Sequence, residues 1–177
     1  MVSNNLFISF SHDLSATGVP VAWMLTSSAT TATIAFFLAW VREGNPAVRP
    51  AVIMSDRDEA QLAALKAVFP RSTIYLCTWH VLHAIRSHLV IPAFPALWAK
   101  IRKWVNTDDL GEFFTLWDEI STDPLAPESL IKYLKETWMP VVIMWSKILR
   151  RGRSIYEEGD TNMLIESYVD AFFTLIR

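Results

Sequence analysis

The chain has 177 residues, a formal net charge of −2, eight Trp, ten Phe and an apolar fraction of 52%, enough to bury the core of one domain of ordinary size. Its single cysteine, Cys77, excludes an internal disulfide and a zinc site built from several thiolates. The near-neutral charge argues against a surface that grips nucleic acid everywhere, so any such contact must come from local clusters.

The longest apolar stretch, Ile34 to Val41, is far short of a bilayer span. No basic region followed by a hydrophobic core opens the chain. Neither membrane insertion nor secretion is expected, and the cysteine usage suits a reducing compartment.

In chain order, Leu6 to Phe10 and Val19 to Leu25 read as two strands joined by the polar turn His12 to Gly18, a predicted hairpin. Thr30 to Arg42 reads as a helix with Ile34, Phe37, Leu38 and Val41 on one face, stopped by Gly44-Asn45-Pro46. A strand over Ala51 to Ser55, a helix over Arg57 to Val68 with Leu62, Leu65 and Val68 inward, and a strand over Ser72 to Leu76 make a βαβ unit. Its crossover should be right-handed. With the hairpin, this predicts one mixed sheet.

Beyond Cys77 the strand pattern ends. Helices are expected over His80 to Val90, Pro95 to Val105, Leu110 to Ile120 and Pro127 to Arg150. The last should kink or split at Pro140, which lacks a backbone donor. A final helix spans Asn162 to Ile176. Trp98, Trp104, Trp117, Trp138 and Trp145 fall at helical spacing and are expected in the core; the sharper reading makes them stacking partners for bases.

Asp56 falls where an apolar strand gives way to a helix, and the carboxyl ends of strands are where ligands gather in open α/β sheets. It is therefore a candidate metal ligand. The competing reading is a helix cap, with Asp56 and Glu59, or Ser55 and Asp58, as a capping box. The next strand runs into Cys77-Thr78-Trp79-His80, which sets a thiol and an imidazole three residues apart. Cys77 also suits a small buried hydrophobe, and His80 a helix-start residue bonded to backbone. Glu166, at the edge of the last helix's apolar stripe, is costly there unless paired or metal-bound; otherwise it is a boundary glutamate whose head reaches water.

Taken together, Gly18 to Met24, Ile53 to Asp58, Val68-Phe69-Pro70, Leu76 to His80, and Thr161-Asn162 with Glu166-Ser167 resemble, in order and approximate spacing, the Mutator-like element (MULE) transposase domain. The resemblance implies an α/β fold, a ribonuclease-H-like mixed sheet with a large all-α insertion. The implied division is an α/β part over 1–80, a helical insertion over 81–160, and a C-terminal helix over 161–177 returning to the α/β part.

The resemblance also implies an Asp-Asp-Glu site for DNA strand cleavage and transfer, in which Asp56 matches the second acid and Glu166 the third. Both would be Mg²⁺ ligands, in a site of two ions about 3.5–4 Å apart, and their carboxylates should then approach within roughly 8 Å. Cys77 and His80 match the family's C-x-x-H motif, a structural or DNA-contacting element; two donors do not make a zinc site, although His83 and His88 are close in sequence. The family's first Asp lies on a strand before the hairpin. No acid precedes Asp13, and Asp13 falls in the turn, so the chain reads as a domain lacking its first strand and one ligand, with catalysis impaired.

Implied partners are DNA at transposon ends and a further copy of the chain, in the nucleus, with no membrane. DNA contact would fall to Lys100, Arg102 and Lys103, or to the denser cluster Lys147, Arg150, Arg151 and Arg153, which could equally be a solvated helix end. No helix-turn-helix or zinc-finger pattern is present. Three classes stay open: a transposase catalytic domain or its remnant, a co-opted non-catalytic module binding DNA or protein in transcription, and a thiol enzyme using Cys77 with His80 or His83. The last lacks a sequence signal for an orienting third group.

Overall fold

The structure, a computed structural model, describes residues 4–10 and 19–149. It is a mixed α/β arrangement, mostly helical, with a small parallel sheet. The chain divides into two compact units, with the division inside one strand between Ile74 and Tyr75.

In the first unit, β1 (Asn4–Phe10) and β2 (Val19–Thr26) form the antiparallel pair expected of the hairpin. Phe7 lies opposite Trp23 and Ile8 opposite Ala22, but Ser9 pairs with Pro20, so the register skips Val21. Proline has no N–H to give to a ladder, and a bulge is one of the few places a sheet accepts it.

Helix α1 (Thr31–Gly44) starts where the Thr30 side chain accepts a hydrogen bond from the Thr33 N–H at 3.2 Å. It ends at Asn45, whose side-chain amide donates to the Val41 carbonyl at 2.8 Å. Ile34, Phe37, Leu38 and Val41 are buried as their spacing requires. They pack against α2 (Glu59–Val68), which buries Leu62, Ala64, Leu65 and Val68. The Arg42 guanidinium donates to the Val68 carbonyl at 2.9 Å, so a side chain of α1 satisfies an orphan carbonyl in the last turn of α2.

β3 (Val52–Ser55) and β4 (Thr73–Leu76) pair across the α2 connection. Where one mixed sheet was expected, the described strands form two separate two-stranded sheets, β1 with β2 and β3 with β4. Apolar alternation fixes which strands form and favours pairing between sequence neighbours. It carries no signal for which outer edges join.

The second unit is helical. α3 (Thr78–Arg86) begins two residues earlier than expected, with Cys77 at its cap position. α4 (Pro95–Asn106) carries Pro95 in its first turn, where a missing N–H costs nothing. α5 (Leu110–Ser121) is capped by Asp109, which accepts from the Glu112 N–H at 2.7 Å. The expected long helix is broken at Pro140 into α6 (Glu128–Tyr133), a π turn over Leu134–Trp138, a 3₁₀ turn over Met139–Val141, and α7 (Val142–Trp145). A wide turn beside a proline is a common way to absorb the missing donor.

Trp104 is the centre of this unit's core. Its ring lies 5.3 Å from Phe113, 5.2 Å from Trp117 and 5.0 Å from Trp145. The Trp145 indole N–H donates to the Trp138 carbonyl at 2.8 Å. Trp104, Trp138 and Trp145 are buried, while Trp98 and Trp117 are half-buried at its margin.

Candidate functional site

Asp56 is the first residue after β3 and is half-buried. The helix that follows is capped by Asp58, whose carboxylate accepts from the Gln61 N–H at 2.7 Å. That corrects both capping boxes considered from sequence: neither Asp56 nor Ser55 is the cap. The physical reason is the start of α2, which comes two residues later than the apolar pattern suggested. Ser55 is buried, and its hydroxyl donates to the Asp56 carbonyl at 3.0 Å. Asp56 thus stands directly after a strand and outside the helix that follows.

Cys77 is fully buried and makes no side-chain capping bond at the start of α3. A thiol fully buried in the fold is shielded from substrate, which disfavours a nucleophilic role. His80 follows in the first turn, half-buried, with its ring edge-on to Trp79. His83 stacks on Trp79, and His88 stacks on Tyr133 at 3.7 Å. His80 and His83 thus share Trp79 as their aromatic neighbour, while His88 is held by Tyr133. Among the described residues no group of three or more His, Cys, Asp or Glu could hold a metal ion.

Glu166, Arg150, Arg151 and Arg153 lie outside the described residues, and so does the expected approach of the Glu166 and Asp56 carboxylates. Lys147 lies in a 3₁₀ turn over Lys147–Leu149 and is half-buried.

The other basic cluster is largely committed within the fold. Lys103 pairs with Glu112 at 2.6 Å and Lys100 with Glu119 at 3.4 Å, joining α4 to α5. The hydrogen bond from Lys103 holds the Glu112 carboxyl below its ordinary value, and a hydrogen bond from the Thr107 hydroxyl adds to this. The Lys103 ammonium is raised, first by its hydrogen bond to Glu112 and then by the attraction of that charge. Arg102 stays exposed.

Sequence reasoning passed over Trp79. It is an exposed tryptophan in the first turn of α3, two residues after the buried Cys77. The signal was present in the spacing of Trp79 and His83 at i and i+4, which places two flat rings on one helix face.

Residues 2–84 match the family model of the MULE transposase domain. The match runs from β1 into α3 and includes Asp56, Cys77 and His80. It is narrower than the resemblance read from sequence, since Glu166 and most of the helical unit fall beyond it. No curated protein matches the chain.

Proposed function

We propose that this chain, matched over residues 2–84 to the MULE transposase family, contributes to DNA strand cleavage and transfer through an Asp-Asp-Glu site of ribonuclease-H-like type. Asp56 serves as the second acid and Glu166 as the third. The supporting observation is the position of Asp56: at the carboxyl end of β3, within the matched residues, and relieved of helix capping by Asp58.

Carboxylate oxygens fit Mg²⁺, whereas the buried thiol of Cys77 does not. Asp56 and Glu166 are the residues that would hold the metal. When bound, it supplies activation of an attacking hydroxyl and stabilisation of the leaving oxygen in a phosphoryl displacement. The protein's share is to fix the carboxylate in place, which the position of Asp56 directly after β3 favours. Asp56 and Glu166 supply two of the three acids of such a site. DNA at transposon ends is the proposed partner, with Lys147, Arg150, Arg151 and Arg153 as phosphate contacts, association with a second copy, and a nuclear location.

The test has two arms. In calorimetric titration with Mn²⁺ as probe, Asp56→Asn and Glu166→Gln should each weaken binding at least several-fold; binding unchanged in both variants rejects the metal-ligand assignment. In a Mg²⁺-dependent cleavage assay Asp56→Ala should abolish whatever activity the chain shows. Cleavage that survives Asp56→Ala rejects the catalytic assignment.

The second reading is a non-catalytic module that binds DNA or protein in transcription. The observation in its favour is the run from Ala60 to Thr107, which carries Lys and Arg but no Asp or Glu. It predicts DNA affinity that survives loss of both Asp56 and Glu166.

A further inference from the structure

Ala60 to Thr107 contain no Asp or Glu, yet include Lys66, Arg71, Arg86, Lys100, Arg102 and Lys103. Helix α3 lies inside this acid-free run. Its inward stripe is Val81 and Ile85, with Thr78, all buried. Trp79, His83 and Arg86 follow one another by four and three residues and therefore share a different helix face. All three are exposed.

A tryptophan normally repays its size by burial. Here Trp79 keeps 38% of its surface exposed, while the inward face of α3 is complete without it. Its indole stacks on the His83 imidazole with centroids 4.8 Å apart and planes 16° from parallel. The His80 ring meets the same indole at 4.8 Å and 85°. Two neighbours thus hold a flat π surface in one orientation. Arg86 lies one turn further along and is exposed.

We propose that Trp79 and His83 form a stacking platform for an unpaired DNA base, with Arg86 holding an adjacent phosphate. Stacking needs an exposed base face, which a flap, gap or unpaired end offers and a continuous duplex does not. The guanidinium answers the backbone charge that accompanies every base. The proposal rests on the reading of DNA as the partner, and adds to it a place on this chain and a preference for unpaired over paired strands.

The experiment uses the full 177-residue chain and labelled DNA in fluorescence anisotropy, comparing a continuous duplex with the same duplex carrying a single-stranded gap. Wild type should bind the gapped DNA more tightly. Trp79→Ala should weaken that binding on the order of ten-fold and leave duplex binding unchanged, while Trp79→Phe restores most of it. Arg86→Gln should weaken both substrates and lower the salt slope by roughly 0.7–0.9. Should Trp79→Ala lose the wild-type far-ultraviolet spectrum, His83→Ala and Trp79→Phe carry the test, each with a smaller loss on gapped DNA. Gapped-DNA binding that is indifferent to these variants overturns the platform and leaves the DNA partner standing. A wild-type chain that binds neither DNA overturns both.

Discussion

The distinction between Asp56 and Asp58 turns on two positions in the sequence and two different physical tasks. Asp58 supplies an acceptor to the first turn of α2, so Asp58→Ala should lower stability by about 1 kcal/mol, read as a shift in the denaturant midpoint. Asp58→Asn should recover most of that loss, because an amide oxygen also caps. Asp56 is outside that helix, and its substitution is read in metal binding. From sequence the two acids were confounded because both lie near a strand-to-helix turn and a capping pattern fits more than one register. Only the start of the helix separates them.

Two tryptophans of the second unit offer a paired comparison of the same kind. The Trp145 N–H donates to the Trp138 carbonyl, whereas Trp104 Nε1 is buried with no hydrogen-bond partner among the described residues. Both rings are fully buried. Replacing either by Phe removes similar volume, but Trp145→Phe also deletes a buried hydrogen bond worth roughly 1 kcal/mol or more. Trp145→Phe should therefore be the more destabilising of the two in urea denaturation. Trp104→Ala, which opens a cavity among three aromatic rings, should cost about 3–5 kcal/mol.

At the scale of elements, α4 and α5 are joined by charge as well as by core packing. Glu112 is held below its ordinary value of 4.5 by the Lys103 hydrogen bond first and the Thr107 hydroxyl second. A carboxyl lowered on folding adds stability that is present above its unfolded value and is lost as pH falls through the lowered folded value. Lys103 is raised above 10.5, so its contribution is complete below that value and lost as pH rises through the raised one. Glu112→Gln should accordingly be less stable than wild type near neutral pH. The difference should shrink as pH falls below about 4.5, as followed by melting temperature across pH 3 to 7 in low salt. Because both groups are exposed, salt should shrink the difference too.

At the scale of the whole molecule, the element order was legible where one physical rule dominates. The hairpin, α1 and α2 with their inward faces, and α4 and α5 followed from periodicity and from turn signals such as Gly44-Asn45-Pro46. The break at Pro140 followed from a missing donor, but its form, a π turn and then a 3₁₀ turn, depends on how Trp138 and Trp145 pack. Periodicity does not record that. The joining of strand pairs was not legible either, since Ile53 and Ile74 look equally apolar whichever edge they face. Asp56, Cys77 and His80 were recognisable as a family pattern and fall within the matched residues. The exposure of Trp79 was not legible, because in sequence it appeared only as part of the string from Cys77 to His80.

The ring cluster around Trp104 has an optical consequence. Indoles about 5 Å apart and held at fixed angles, stacked with Trp117 and edge-on to Trp145, are coupled chromophores in an asymmetric setting. Near-ultraviolet circular dichroism should therefore carry a strong signature of the helical unit's packing. Under mild acid or denaturant that signature should fade before the backbone helix signal does, which makes it a direct gauge of ordered side chains in any variant tested above.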